Sequence, residues 1–204
     1  MDLKDIKFIL DLEFFTHGKI QSPDFYFALR ELSVVAVDKP MEWNFHFKIA
    51  PVPLENSKVL STLKFQRNRT RLPFNVDTTL PYYYENQVPE LIAGIVKEYG
   101  DFDPEKSFFA YKGGYYDSLL LSRMNLQSVN LEQTIACPKF DDLVGGSYEY
   151  SNIARQYDCG RHCYQQTEDY KRRFGSTYHC SLSECSVYRH YLRSYIEQRQ
   201  HHQQ

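Results

Sequence analysis

The stretch Ile6-Lys7-Phe8-Ile9-Leu10-Asp11-Leu12-Glu13-Phe14 constrains the fold more than any other. Its apolar density predicts a buried strand, and that strand ends in acids. Period-two geometry puts Asp11 and Glu13 on one face, about 7 Å apart. Carboxylates there are costly to bury unpaired, and a divalent cation is one common solution. A β-rich run follows from Phe25 to Val37 and breaks at Asp38-Lys39-Pro40. The next run, Trp43 to Ile49, alternates and places Trp43, Phe45, Phe47 and Ile49 on one face. Together the three runs predict an antiparallel meander.

Downstream the pattern changes. Val88, Leu91, Ile92, Ile95 and Val96 recur at helical spacing, which predicts a helix over 85–99 stopped by Gly100. Residues 107–112 read as another buried strand, Gly113-Gly114 as a turn, and Tyr116 to Leu121 as a helix with Asp117 in its first turn. An acid at that place also has a plain role, opposite the helix dipole. Val129-Asn130-Leu131 reads as a short parallel strand, and Asp141-Asp142 opens a short helix. This order predicts an α/β fold: three antiparallel strands, then parallel strands, in one mixed sheet flanked by helices.

Residues 54–84 carry little periodicity. Within them, Lys64 to Arg71 reads as a basic loop, either a solvated surface or a nucleic-acid contact through Arg67, Arg69 and Arg71. Lys112 is a further candidate contact, and the Gly- and Tyr-rich region from 146 to 178 reads as irregular. The final helix is expected from Leu182 to Gln198, with Val187, Tyr191, Leu192, Tyr195 and Ile196 on its apolar stripe. One domain over 1–197 accounts for the pattern, leaving 198–204 as a polar tail expected to be disordered.

Composition narrows the function classes. The 204 residues are 42% hydrophobic and 25% charged, as a globular domain requires. A net charge of −2 supplies no global attraction to nucleic acid, so any such binding rests on a local patch. The aromatic share of 16% serves sheet packing or base stacking. No apolar run reaches the ~20 residues of a membrane helix. The N-terminus lacks a signal peptide's basic start and apolar stretch. The expectation is an intracellular protein, cytoplasmic, nuclear or both, with no membrane partner.

The cysteines point to a metal. There are five, and four of them, Cys159, Cys163, Cys180 and Cys185, fall in the last quarter among His162 and His179. In a reducing compartment that clustering favours metal over disulfides. Cys159-x-x-His162 with Cys180 has the residue types a zinc ion takes; buried free thiols are the alternative. Cys163 and Cys185 are alternative ligands, Cys185 reading better as a packing residue. Ser181-Leu182-Ser183-Glu184 matches a capping box, which gives Glu184 a structural role of its own. A histidine at 179 reads either as chemistry or as a residue beside the metal.

Read together, these segments resemble a family. Phe8 to Glu13, then Arg30-Glu31-Leu32-Ser33-Val34-Val35 and Phe45-His46-Phe47-Lys48, resemble the opening of the DEDDh-type 3′–5′ exonucleases, which have an RNase H-like fold. Ala110 to Leu121 resembles their second motif, with Asp117 as its acid. His179-x-x-x-x-Glu184 resembles their last motif, with Glu in place of Asp and therefore a longer arm. The C-terminal half is similar to an offshoot of that superfamily, the Maelstrom domain of germline small-RNA silencing and the piRNA pathway. That resemblance implies a structural zinc held by Glu31, Cys159, His162 and Cys180. The exonuclease resemblance implies two Mg²⁺ or Mn²⁺ ions on Asp11, Glu13, Asp117 and Glu184, with His179 as general base. The implied partner is single-stranded nucleic acid, RNA ahead of DNA. The implied alternative is a zinc-stabilised module with reduced catalysis that binds RNA or a silencing protein.

Overall fold

The computed structural model describes residues 1–49, 55–70, 72, 81–162 and 179–204, with only the backbone described at 68 and 69. Five strands form one mixed sheet: β1 (Ile6–His17), β2 (Tyr26–Ala36), β3 (Glu42–His46), β4 (Phe108–Tyr111) and β5 (Ser128–Asn130). Their order across the sheet is β3-β2-β1-β4-β5. β1 pairs antiparallel with β2, and β2 with β3, so the expected meander forms. β4 then lies parallel to β1 and β5 parallel to β4. β1 is therefore central, as its continuous apolar run demands.

Alternation along β1 sends side chains to two cores. Ile6 and Ile9 join Val35, Ala110, Leu131, Phe140, Val187, Tyr188 and Leu192 on one face. Phe8, Leu10 and Leu12 join Val34, Phe109, Ile92 and Ile95 on the other. The first core is closed by α4 (Leu131–Ile135), α5 (Phe140–Gly146), α6 (Tyr148–Gln156) and α7 (Ser181–His202). The second is closed by α2 (Val88–Tyr99) and α3 (Tyr115–Arg123). Asp11 and Glu13 continue the Ile9 side of the strand, which carries them toward α7. The strand does not end at the acids as expected: register slips at a bulge between Glu13 and Phe14, and pairing with β2 resumes to His17.

Three expectations are corrected. The basic stretch is not a loop: α1 (Ser57–Thr70) is a helix that buries Val59 and Leu63 against Phe15 and Ala28. Leu60 is only half-buried and Phe65 is exposed, so the apolar residues do not mark one face and the sequence reads as unpatterned. Residues 148–156, expected to be irregular, form α6. The polar tail is helical as far as His202, because Gln, Arg and His continue a helix without a break. Arg71 and Cys163 lie outside the described residues, as does the side chain of Arg69. No helix among the described residues is long and apolar enough to cross a membrane.

Candidate metal centres

α7 begins where two clusters of polar side chains meet. Its N-cap is Cys180, one residue before the expected Ser181. The capping box does not form. Ser181 turns its hydroxyl to Ser33 at 2.6 Å, and Glu184 turns its carboxylate to His179 at 2.9 Å. Glu184 is thereby released from its structural role and aimed at the sheet.

The first cluster is built on Glu31, which is fully buried on β2. Oε1 accepts the Ser181 N–H at 2.7 Å, at the positive end of α7. Around Oε2 stand His46 Nε2 at 3.1 Å, Asn44 Nδ2 at 3.1 Å, Cys159 Sγ at 3.0 Å and His162 Nε2 at 3.4 Å. Burial alone would raise the Glu31 pKa, but His162 and His46 hold it well below the usual range. The charge of Glu31 in turn overcomes burial and raises His162. His162 Nδ1 bonds the Thr70 carbonyl at the end of α1, which leaves Nε2 pointing at the cluster. Histidine metal ligands are commonly oriented by such a second bond. The ligand atoms of Glu31, Cys159, His162 and Cys180 all lie within 4.8 Å of one another. One oxygen, one nitrogen and two sulfurs in a buried group of four match the donor chemistry of a structural zinc. Cys159 and Cys180 are free thiols here, and burial with the neighbouring thiol raises the Cys159 pKa out of the usual range. Cys185 stays apart, fully buried with its thiol near the Ile9 and Ser33 carbonyls, so it packs rather than ligates.

The second cluster lies on the other side of His179. Asp11, Glu13, Asp117, His179 and Glu184 line one cavity of about 340 Å³. Asp117 comes to it from the first turn of α3. Gly113 makes the approach with φ of 71°, and a Cβ at Gly114 would fall 2.7 Å from the Asp117 carboxyl. Both glycines are thus required for that acid to reach the strand ends. Glu13, His179 and Glu184 bring ligand atoms within 4.8 Å of one another. Asp11 is 9% exposed, and its Oδ2 has no hydrogen-bond partner among the described residues. Burial, then the charges of Glu184 and Glu13, push the Asp11 pKa well up. Burial and Glu184 raise Asp117 to about 8. Glu184 is the exception: burial opposes ionisation, but His179 wins and draws it down to about 2. An orphaned buried carboxylate oxygen among converging acids fits a divalent cation with oxygen ligands.

No protein-family model matches the chain, and no curated protein matches it.

The geometry therefore stands on its own, and it adds residues that the sequence did not single out. His46 sits opposite Glu31 in register and is 1% exposed. α5 supplies a wall of the acidic cavity through Lys139, Phe140 and Asp141. The Phe140 ring packs on His179, and Asp141 Oδ1 lies 3.6 Å from its Nε2. Gln66 and Thr70 of α1 line the same cavity. Among the expected nucleic-acid contacts, Lys112 lines the cavity and pairs with Glu132 at 3.6 Å. Arg67 neighbours Gln66 on α1 without lining the cavity.

Proposed function

We propose that this chain is a metal-dependent nuclease of RNase H-like type, hydrolysing phosphodiester bonds from the 3′ end of single-stranded RNA or DNA. The observation that carries the reading is the convergence of Asp11, Glu13, Asp117, His179 and Glu184 on one cavity from distant parts of the chain. The acids would hold two Mg²⁺ or Mn²⁺ ions, which supply Lewis-acid stabilisation of the developing charge on phosphate. Lys112 and Lys139 on the cavity wall supply the positive charge that seats a phosphate. His179, its Nδ1 turned to Glu184, offers Nε2 as the acceptor for a water proton. The Glu31, Cys159, His162 and Cys180 group would hold a structural zinc, tying β2 and the 159–162 segment to the start of α7.

A second reading is a catalytically reduced, Maelstrom-like module that binds RNA or a silencing partner. The placement of Glu184 favours it: the longer arm lies 2.9 Å from His179, so the base is paired with its own carboxylate. Degradation of 3′-labelled RNA and DNA oligonucleotides with Mn²⁺ separates the two. The nuclease reading expects degradation by the wild type and its loss in Asp11→Asn and His179→Ala. Activity that survives both changes would sink it. Binding without degradation by the wild type selects the second reading.

A further inference from the structure

A second cavity, also about 340 Å³, opens between α6 and α7, away from the acids. Glu149, Asn152, Gln156 and Tyr157 face Ser186, Arg189, His190 and Arg193 across it. Arg189 is buried, and Arg193 is exposed but anchored at its Nε. Arg189 is 4% exposed; it donates from Nη1 to the Ala36 carbonyl at 3.2 Å and from Nη2 to Glu42 Oε1 at 3.1 Å. Its guanidinium lies 5.3 Å from the centre of the Tyr157 ring. Arg193, one helical turn on, donates from Nε to the Val37 carbonyl at 2.6 Å. Its two terminal nitrogens have no hydrogen-bond partner among the described residues.

Consecutive carbonyls at the end of β2 thus hold two guanidinium groups on the same side of α7. We propose that this groove is a binding site for a phosphate group, gripped by the free fork of Arg193, with Asn152 and Gln156 as neutral donors. The one carboxylate in the lining, Glu149, lies 2.8 Å from His190 and makes no ion pair with Arg193 among the described residues. Burial and the charge of Arg189 both lower the Arg193 pKa, and Glu42 already pairs with Arg189, so Arg193 is the cation left to meet an anion. Tyr157, Asp38 and Glu197 act on Arg193 in the opposite direction and by less, and neither acid makes an ion pair with it among the described residues. The site does not depend on the nuclease reading, and it fits either a terminal phosphate or the phosphodiester of a strand.

The test is calorimetric titration without added divalent ions, using adenosine 5′-monophosphate and a dinucleoside phosphate that lacks terminal phosphates. Arg193→Gln is expected to weaken binding about tenfold or more, the worth of hydrogen bonds to a charged group. Arg193→Lys should fall between, because it keeps the charge and loses the fork. Arg199→Gln, outside the groove against Tyr195, should bind as the wild type does. Preference for the monophosphate identifies a terminal phosphate as the occupant; equal binding identifies the backbone of a strand. The proposal fails if Arg193→Gln binds like the wild type, or if the wild type binds neither probe up to about 10 mM.

Discussion

Two polar clusters share the first turn of α7 and treat buried carboxylates in opposite ways. Glu31 is as buried as any group in the chain, yet it is held ionised because both oxygens face donors. Asp11 and Asp117 are also buried, but mostly against other acids, and their pKa values rise. Burial is common to both clusters, so the donors decide the direction. The Glu31 cluster is internally satisfied and closed by β2, β3 and α7. The acidic cluster lines an open cavity and, among the described residues, has no positive charge in its lining beyond His179 and the wall lysines. A metal would therefore add different things: cross-linking in the first, charge compensation in the second.

The largest expected effect comes from breaking the satisfied cluster. Glu31→Gln leaves His162 buried without its counter-charge, which costs about 3–5 kcal/mol for a disrupted buried pair. Urea unfolding measures it. If the site also holds zinc, elemental analysis of the wild type gives one equivalent, and Cys159→Ser loses both the metal and a comparable part of the stability. A metal-free wild type with unchanged melting would reject the zinc.

Acting on the other cluster should have the opposite sign. Asp117→Asn removes a charge from a crowded acid group, so the metal-free protein should gain roughly 1–2 kcal/mol at pH 8, while any Mn²⁺ affinity falls. A destabilised Asp117→Asn would mean that the carboxylate is satisfied and the contrast false.

The same contrast predicts a pH dependence. The Asp117 carboxyl moves from an ordinary 3.8 to about 8 on folding, so between those values the folded chain binds more protons than the unfolded one. Its contribution to stability is present in full below about pH 4 and is lost as the pH rises through about 8. Melting temperatures of the metal-free protein should fall across that window, and saturating Mn²⁺ should flatten the fall. A metal-independent profile would remove the cation from the account.

How far the sequence carried these clusters follows from what alternation records. The Asp11-x-Glu13 pair on one face of β1, the Gly113-Gly114 turn before Asp117, and the Cys159-x-x-His162 spacing are local patterns, and each was readable, although β1 runs on to His17 rather than ending at the acids. His46 was not, because its role comes from cross-strand register with Glu31 and leaves no local mark. α1 was missed because Val59 and Leu63 are the only apolar side chains it buries among the described residues, although its last carbonyl orients His162 and its Gln66 lines the acidic cavity. The capping-box pattern at 181–184 misled for a related reason. Ser181 has a stronger partner in Ser33, 148 residues away, than its own helix offers.

That bond is the joint between the two clusters, and it supplies the smallest and most discriminating test. The Ser33 hydroxyl meets Ser181 at 2.6 Å and accepts from Asn44 Nδ2 at 2.8 Å, while Asn44 also reaches Glu31. Ser33→Ala therefore disturbs no candidate ligand, but it leaves buried polar groups on β3 and at the start of α7 short of a partner, costing about 1–3 kcal/mol. If the first turn of α7 merely sits beside both clusters, only stability changes. If that turn positions them jointly, loosening it also displaces His179 and Glu184, and Mn²⁺ affinity falls with stability. Comparing Ser33→Ala with Ser186→Ala, which loses a bond to the Leu182 carbonyl inside the same helix, separates the two outcomes. Joint positioning requires weaker Mn²⁺ binding in Ser33→Ala than in Ser186→Ala at matched stability.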